Sequence, residues 1–313
     1  MSRPKLSHRA EVALASTMER LVRALPEGAA ERVGAAAGAA VYSPLGIRKK
    51  VVLDNLRLAF PEQPEEWIDS VARAAFRHLG REAVAMMRLP TLGAAGIRER
   101  TFPAEWDEFE AALERGRGVI LATGHFGNWE IAAAAVAARG VPMAAVVRRQ
   151  GNGLFDARLD ALRRSLGVET ISQRDAPRAV PRWLRKGGVV GLVADQDARG
   201  SGVFVPFFGR AASTHRGPAL FALRLGAPLF ACSAVRLPGE EPRYHLSSVP
   251  VEVERTGELD ADVERLTAEF TARLEAAVRA HPEQYFWFHR RWKSAPPPEP
   301  APVGSGTTMP SGA

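Results

Sequence analysis

Near the start of the chain, Val12, Leu14, Met18, Leu21, Val22 and Leu25 recur at helical spacing, with Arg9, Glu19, Arg20 and Arg23 between them. That period predicts an amphipathic helix ended by Pro26 and Gly28. The small residues from Ala29 to Val41 predict a second helix that would pack closely on a neighbour. Helical periodicity returns at Arg48 to Leu58 and at Glu65 to Met87, with Pro61 and Pro64 between the two segments. In the longer one, Trp67, Ile68, Val71, Ala75, Phe76, Leu79 and Ala83 form a single stripe. After Pro90 the pattern changes to short β-rich runs alternating with helices. This predicts an α/β fold, a central mixed and largely parallel sheet flanked by helices and preceded by an N-terminal helical region. Strand candidates are Gly118 to Thr123, Met143 to Val147, Val189 to Ala194, Val203 to Phe207, Pro228 to Val235 and Tyr244 to Val253. Helices are expected over Trp129 to Arg139, Asn152 to Leu166, Pro177 to Lys186, His215 to Leu225 and Asp260 to Ala280. No internal repeat occurs.

With 313 residues, 46% of them hydrophobic, the chain can bury a sizeable core in one large or two small domains. The net charge of +7 and a pI near 10.1 point to an acidic partner: nucleic acid, an anionic membrane surface or an acidic protein. No recognisable nucleic-acid-binding module accompanies the charge, so no nucleic-acid partner is expected. The single cysteine, Cys232, excludes an intramolecular disulfide, and its apolar surroundings from Leu229 to Val235 read as a buried strand with an inert thiol. Ser2 to Arg9 is basic, but Glu11, Glu19 and Arg20 interrupt what would have to be the apolar part of a signal peptide. The longest uncharged stretch, Val33 to Ile47, is mostly Ala and Gly and falls short of the ~20 apolar residues of a spanning helix. The two N-terminal helices therefore either lie in a membrane interface, arginines toward anionic lipid, or cap the core in water. The expected organisation is membrane-associating amphipathic helices over 1–45, a helical region packed on the core over 46–100, an α/β domain over 101–294 and a disordered tail over 295–313.

The stretch most informative about chemistry is Gly124-His125-Phe126-Gly127-Asn128-Trp129-Glu130. It follows the apolar strand Val119 to Ala122 and precedes an alanine-rich helix, which places it at the carboxyl end of a strand, where open α/β sheets put their sites. Asn128 suits the N-cap, Glu130 then falls in the first helical turn, and His125 stays in the loop before it. The turn would fold the imidazole toward the carboxylate; one nitrogen, held by Glu130 in a fixed tautomer, would leave the other free to accept a hydroxyl proton. Among the seven histidines only His125 has an acidic residue five positions on, a spacing that by itself is a weak signal. Gly124 and Gly127 suit close backbone approach by a ligand. The chain contains no G-x-S-x-G elbow, no H-E-x-x-H, no G-x-x-x-x-G-K and no complete G-x-G-x-x-G. Neither an esterase nucleophile nor a metal ligand set is therefore expected.

The whole string resembles the H-x4-D/E motif of the lysophospholipid acyltransferase superfamily, in the form found in bacterial lipid A biosynthesis late acyltransferases. Asn55-Leu56-Arg57-Leu58-Ala59-Phe60-Pro61-Glu62 resembles that family's N-terminal element. Ala194-Asp195-Gln196-Asp197, Val203 to Gly209 and Ala212-Ser213-Thr214 resemble its central blocks, and Pro282 to Lys293 resembles its closing motif. The matches run in order from Asn55 to Lys293, most of the chain.

The resemblance implies that His125 is the general base and Glu130 its orienting partner. It also implies transfer from a fatty-acyl thioester of acyl carrier protein or coenzyme A, with no bound cofactor, to a hydroxyl of a glycolipid such as a lipid A precursor. Arg163 and Arg164 both lie where the family carries a substrate-binding arginine. Asn128, Asp195, Asp197 and Arg291 are further substrate-contact candidates, the last three equally readable as structural ion pairs. Basic residues from Arg148 to Arg216 would suit acyl carrier protein, a phosphorylated acceptor, or simply a solvated face. The implied location is the cytoplasmic face of the inner membrane, peripheral or monotopic. One departure is that many lipid A members begin with a strongly apolar helix whereas this N-terminus is only amphipathic; mannoside acyltransferases of actinobacteria share the fold and the motif, which leaves the acceptor open.

Overall fold

The computed structural model describes residues 6–296; the tail expected to be disordered lies, beyond its first two residues, outside them. Four helices come first: α1 (Leu6–Ala24), α2 (Glu27–Tyr42), α3 (Lys49–Ala59) and α4 (Glu65–Arg100). The small residues of α2 serve the close packing expected of them, because Gly34 and Gly38 meet Gly80 of α4 with backbone against backbone. Helix α4 runs on past Met87 through Pro90 and breaks at Gly93, where φ is +62°. It continues because Leu89 and Ile97, one on each side of the break, are both buried. No helix of the described residues is long and apolar enough to cross a membrane.

The rest alternates as expected, through β1 (Thr101–Pro103), α5 (Trp106–Glu114), β2 (Val119–Thr123), α6 (Trp129–Ala138), β3 (Met143–Val147), α7 (Gly153–Ser165), β4 (Val168–Ser172), α8 (Ala176–Leu184) and β5 (Val189–Val193). There follow β6 (Val203–Phe207), β7 (Arg210–Thr214), α9 (Gly217–Leu225), β8 (Leu229–Arg236), β9 (Tyr244–Pro250) and α10 (Leu259–Ala280). The main sheet has the order β1-β9-β8-β2-β5-β3-β4. All its pairs are parallel except β8 with β9, where Phe230 faces Pro250 and Arg236 faces Tyr244. This is the mixed, largely parallel α/β sheet that the alternation predicts. Strands β6 and β7 form a separate antiparallel ribbon.

Strand β2 sits centrally between β5 and β8, and its residues Val119 to Ala122 are buried, as a strand covered on both faces must be. On one side a cluster joins Val52, Leu56, Phe60, Ile68 and Phe76 of the N-terminal helices to Phe207, Leu274, Tyr285 and Trp287. The helical region and the C-terminal motif thus share one core. Trp287 is 0% exposed, and burying an aromatic side chain of this kind contributes on the order of 2–3 kcal/mol. Cys232 lies on β8, and burial pushes its thiol up to about 12, so it is not a ready nucleophile.

Candidate active site

Strand β2 delivers the chain into the loop Gly124–Asn128 at its carboxyl end. A Cβ on Gly124 would come within 2.6 Å of the Leu274 side chain and 3.2 Å of the Asp195 carboxyl carbon. Gly127 has φ +56°, and a Cβ there would collide with the Ala234 carbonyl oxygen. Both glycines therefore serve close approach to the protein itself, where the sequence suggested a ligand. The loop is pinned by its backbone: Gly127 N–H donates to Gln284 O (2.9 Å), Asn128 N–H to Ala234 O (3.1 Å) and Phe286 N–H to His125 O (2.9 Å). Asn128 is the N-cap of α6, its Oδ1 accepting from Ile131 N–H at 2.9 Å. Its Nδ2 donates to Glu82 Oε2 at 2.6 Å. With both ends of its amide engaged and only 4% of the residue exposed, Asn128 is a structural group of the loop and not the substrate contact the sequence suggested.

The carboxylate beside the catalytic candidate is not the one the spacing pointed to. His125 Nδ1 lies 2.7 Å from Asp195 Oδ1, and the His125 backbone N–H donates to Asp195 Oδ2 at 2.9 Å. A carboxylate only accepts, so Nδ1 carries the proton and Nε2 presents its lone pair. Asp195 is 4% exposed, directly behind the imidazole. Burial works against its charge, but the imidazole and the His125 backbone N–H outweigh that and hold its carboxyl at about 2. For His125 burial opposes the charged form, while the Asp195 charge and hydrogen bond, with a smaller pull from Glu130, raise its pKa above the usual value of 6.5. The ring packs edge-on against Trp129 (centroids 4.8 Å apart) and lies 5.8 Å from Phe286, with Gln196 Nε2 3.5 Å from Nε2.

Glu130 turns away to α7. Arg163 Nε donates to its Oε2 (3.0 Å) and Arg163 Nη2 to its Oε1 (2.6 Å), a fork-to-fork pair whose side chains are only 15% and 11% exposed. His125 Nδ1–H therefore donates to Asp195 and not to Glu130, the partner the sequence suggested. The physical reason is topological, because β5 pairs with β2 and its trailing residues emerge beside His125, while the guanidinium of α7 captures Glu130. Of the two arginines the sequence left open, Arg163 adjoins the site and Arg164 points to solvent.

The remaining candidates separate clearly. Arg291 is 2% exposed, donates to Ser213 O (2.6 Å) and Thr214 Oγ1 (2.5 Å), and lies over the Phe207 ring. It braces the end of β7 through neutral acceptors, closer to the structural alternative offered for it than to a substrate contact. Asp197 N–H donates to His289 Nε2 (3.1 Å), its Oδ2 accepts from Ser294 (3.1 Å), and its Oδ1 is buried with no partner among the described residues. Burial keeps the imidazoles of His215 and His289 below the usual histidine range, which favours their neutral form beside the site. Sequence reasoning missed Gln196 and His289 as neighbours of His125; the only available signal was their place inside motif-like blocks. Of the basic residues after β3, Arg148, Arg149, Arg174, Arg178, Arg182, Arg185 and Lys186 are exposed, whereas Arg158 is held by Glu19 and Ser16 of α1. Among the described residues no group of three or more His, Cys, Asp or Glu side chains is arranged to hold a metal ion.

The profile described as "Bacterial lipid A biosynthesis acyltransferase" matches residues 3–294. The phosphatidylinositol mannoside acyltransferase of Mycolicibacterium smegmatis is 29% identical over 283 residues, 87% of this chain and 88% of that protein. The lipid A biosynthesis lauroyltransferase of Escherichia coli is 29% identical over 287 residues, covering 88% and 89% respectively. The lipid A biosynthesis myristoyltransferase of the same species is 26% identical over 258 residues, covering 81% and 78%. A family match across nearly the whole chain, on a fold that sets a buried carboxylate behind a loop histidine, means that this protein belongs to the bacterial lipid A biosynthesis acyltransferase family.

Proposed function

We propose that the protein transfers a fatty-acyl group from a thioester, carried by acyl carrier protein or coenzyme A, to a hydroxyl of a glycolipid at the cytoplasmic face of the inner membrane. The observation that carries this reading is the 2.7 Å pairing of His125 Nδ1 with buried Asp195, which leaves Nε2 as the base. In the proposed step Nε2 takes the acceptor hydroxyl proton as its oxygen bonds to the thioester carbonyl carbon. The tetrahedral intermediate collapses with cleavage of the carbon–sulfur bond, and the imidazolium returns the proton to the departing thiolate. Asp195 stabilises the imidazolium, and the Glu130–Arg163 pair holds the start of α6 against α7.

The donors for the oxyanion are narrowed by the hydrogen bonds at the start of α6. Asn128 N–H is taken by Ala234 and Ile131 N–H by the Asn128 cap, which leaves the N–H groups of Trp129 and Glu130 as the helix-start donors. Membrane association is supported by α1, where Leu14, Met18 and Leu21 are 65%, 40% and 58% exposed beside Arg9 and Arg20. The exposed basic residues following β3 and β4 are the surface we assign to an acidic carrier protein.

A lipid A precursor is the acceptor favoured by the family match. A phosphatidylinositol mannoside is the second reading, favoured by equal identity to the mycobacterial relative. Mass spectrometry of lipids from a deletion strain tests both. Loss of one acyl chain from lipid A supports the first, loss from a mannoside supports the second, and an unchanged glycolipid profile overturns the assignment.

A further inference from the structure

Beneath the reactive loop lies a buried ionic cluster to which the chemistry above gives no role. Glu82 of α4, 8% exposed, accepts from Asn128 Nδ2 (2.6 Å) and Tyr244 Oη (2.8 Å) on Oε2, and from Arg236 Nη1 (2.9 Å) on Oε1. Arg236, 6% exposed, donates through Nη2 to Glu31 Oε2 of α2 at 2.5 Å. Its backbone exchanges two hydrogen bonds with the Gln284 side chain (2.8 and 3.0 Å), and Gln284 O is the acceptor that holds Gly127. Two carboxylates thus share one guanidinium away from water. His78, one turn before Glu82 with Nδ1 3.9 Å from Oε1, is kept toward the neutral form chiefly by burial.

Buried charge of this kind adds little net stability, because desolvation offsets the attraction; its best-attested use is to select one arrangement over others. Here the arrangement selected is the orientation of one amide. Asn128 caps α6 only if Oδ1 faces Ile131 N–H, and a flipped amide would set two donors against each other there. Glu82 decides the matter by demanding a donor on the opposite side. We propose that Glu82 is a positioning residue, fixing the Asn128 amide so that the loop bearing His125 and the first turn bearing Glu130 keep their places. This rests on the roles proposed above for those two residues.

The hydrogen-bond polarity makes a reversal test available. Glu82→Gln cannot satisfy the donors from Asn128, Tyr244 and Arg236 together, and Asn128→Asp sets a second carboxylate against Glu82. In the double variant, the amide at position 82 donates to the carboxylate at position 128 and still accepts from Arg236. The Tyr244 hydroxyl rotates to accept, Ile131 N–H remains capped, and the net charge is unchanged. We expect each single variant to lose roughly tenfold to a hundredfold in kcat, the scale of a misplaced catalytic group, with KM for an acyl thioester little changed. The double should recover to within about threefold of wild type, since the interaction and not either residue is what counts.

Single variants that melt earlier but keep full kcat per folded molecule would make the cluster merely structural and overturn the proposal, as would a double variant no better than the worse single. Should a single variant fail to fold, recovery of folded, active double variant supports the proposal, and a double variant that is inactive or unfolded overturns it. His125→Ala, measured alongside, separates the two layers. Activity there sinks the base assignment, whereas an inactive His125→Ala with a fully active Glu82→Gln sinks the positioning role alone.

Discussion

Asp195→Asn probes the base without removing it. The wild-type carboxylate accepts from Nδ1 at 2.7 Å and from the His125 backbone N–H at 2.9 Å. An asparagine offers one acceptor and one donor at those two places. If its oxygen stays on the backbone N–H, its NH2 faces Nδ1 and drives the ring proton to Nε2, the atom proposed to act as base. If it turns over, two donors meet at the backbone. A wrong tautomer costs up to ~10⁴-fold in the well-known serine-protease case, and a positioned base is generally worth ~10²-fold to 10⁴-fold, so a loss near 10³-fold, about 4 kcal/mol of barrier, is expected.

The pH dependence carries a sign as well. Burial pushes the His125 pKa down and Asp195, together with a smaller pull from Glu130, more than reverses this, so the acid limb of kcat/KM should lie above 6.5 in the wild type, with activity rising as the imidazolium loses its proton. In Asp195→Asn burial is opposed only by Glu130, and the limb should move to lower pH. Stability shifts with it. Asp195, held at about 2, contributes stability that is present above its ordinary pKa of 3.8 and is lost as pH falls toward 2, a loss the variant cannot show. The assay is acyl transfer from a thioester donor to the lipid acceptor across about pH 5 to 9. A variant within about threefold of wild type, with its acid limb unmoved, would refute the pairing as the source of basicity.

Arg163→Met should leave Glu130 unpaired at 11% side-chain exposure and cost roughly 3 kcal/mol, read as a lower melting temperature, whereas Arg164→Met on the solvent side should stay within about 0.5 kcal/mol; equal effects would contradict the division drawn between them. Leu14→Glu combined with Leu21→Glu should abolish sedimentation with anionic vesicles, and wild-type binding should weaken with salt; unchanged binding would place the contact elsewhere. Incubation with radiolabelled acyl donor and no acceptor should leave the denatured protein unlabelled, and stable label on a serine or on Cys232 would overturn direct attack.

The α/β layering and the position of the Gly124–Glu130 loop at a strand end were legible in the sequence because both are written locally. Val119 to Ala122 is an apolar run, Asn128 is a cap residue, and the helix after it is alanine-rich. Strands β1, β4 and β7 and helix α5 escaped. Arg210–Thr214 carries little β-branched character and owes its strand to pairing with Val203–Phe207, and Val168–Ser172 is a short edge strand set by β3. The partner of His125 escaped for a related reason. Glu130 is five residues away along the chain and Asp195 seventy, yet sheet order brings the ends of β2 and β5 together, and no periodicity within one segment records which strands are neighbours. The same holds for Glu82, Asn128, Arg236 and Glu31, which meet from four separate elements.

His125→Ala tests the central claim most directly, by single-turnover acyl transfer to the glycolipid acceptor with the melting transition recorded on the same preparation. The histidine is a loop residue whose ring leaves the neighbouring hydrogen bonds of Gly127 and Asn128 intact, so the protein should remain folded. The predicted result is a cooperatively folded variant whose transfer rate falls ~10²-fold to 10⁴-fold. A folded variant that transfers the acyl group at close to the wild-type rate would contradict the assignment of His125 as the base.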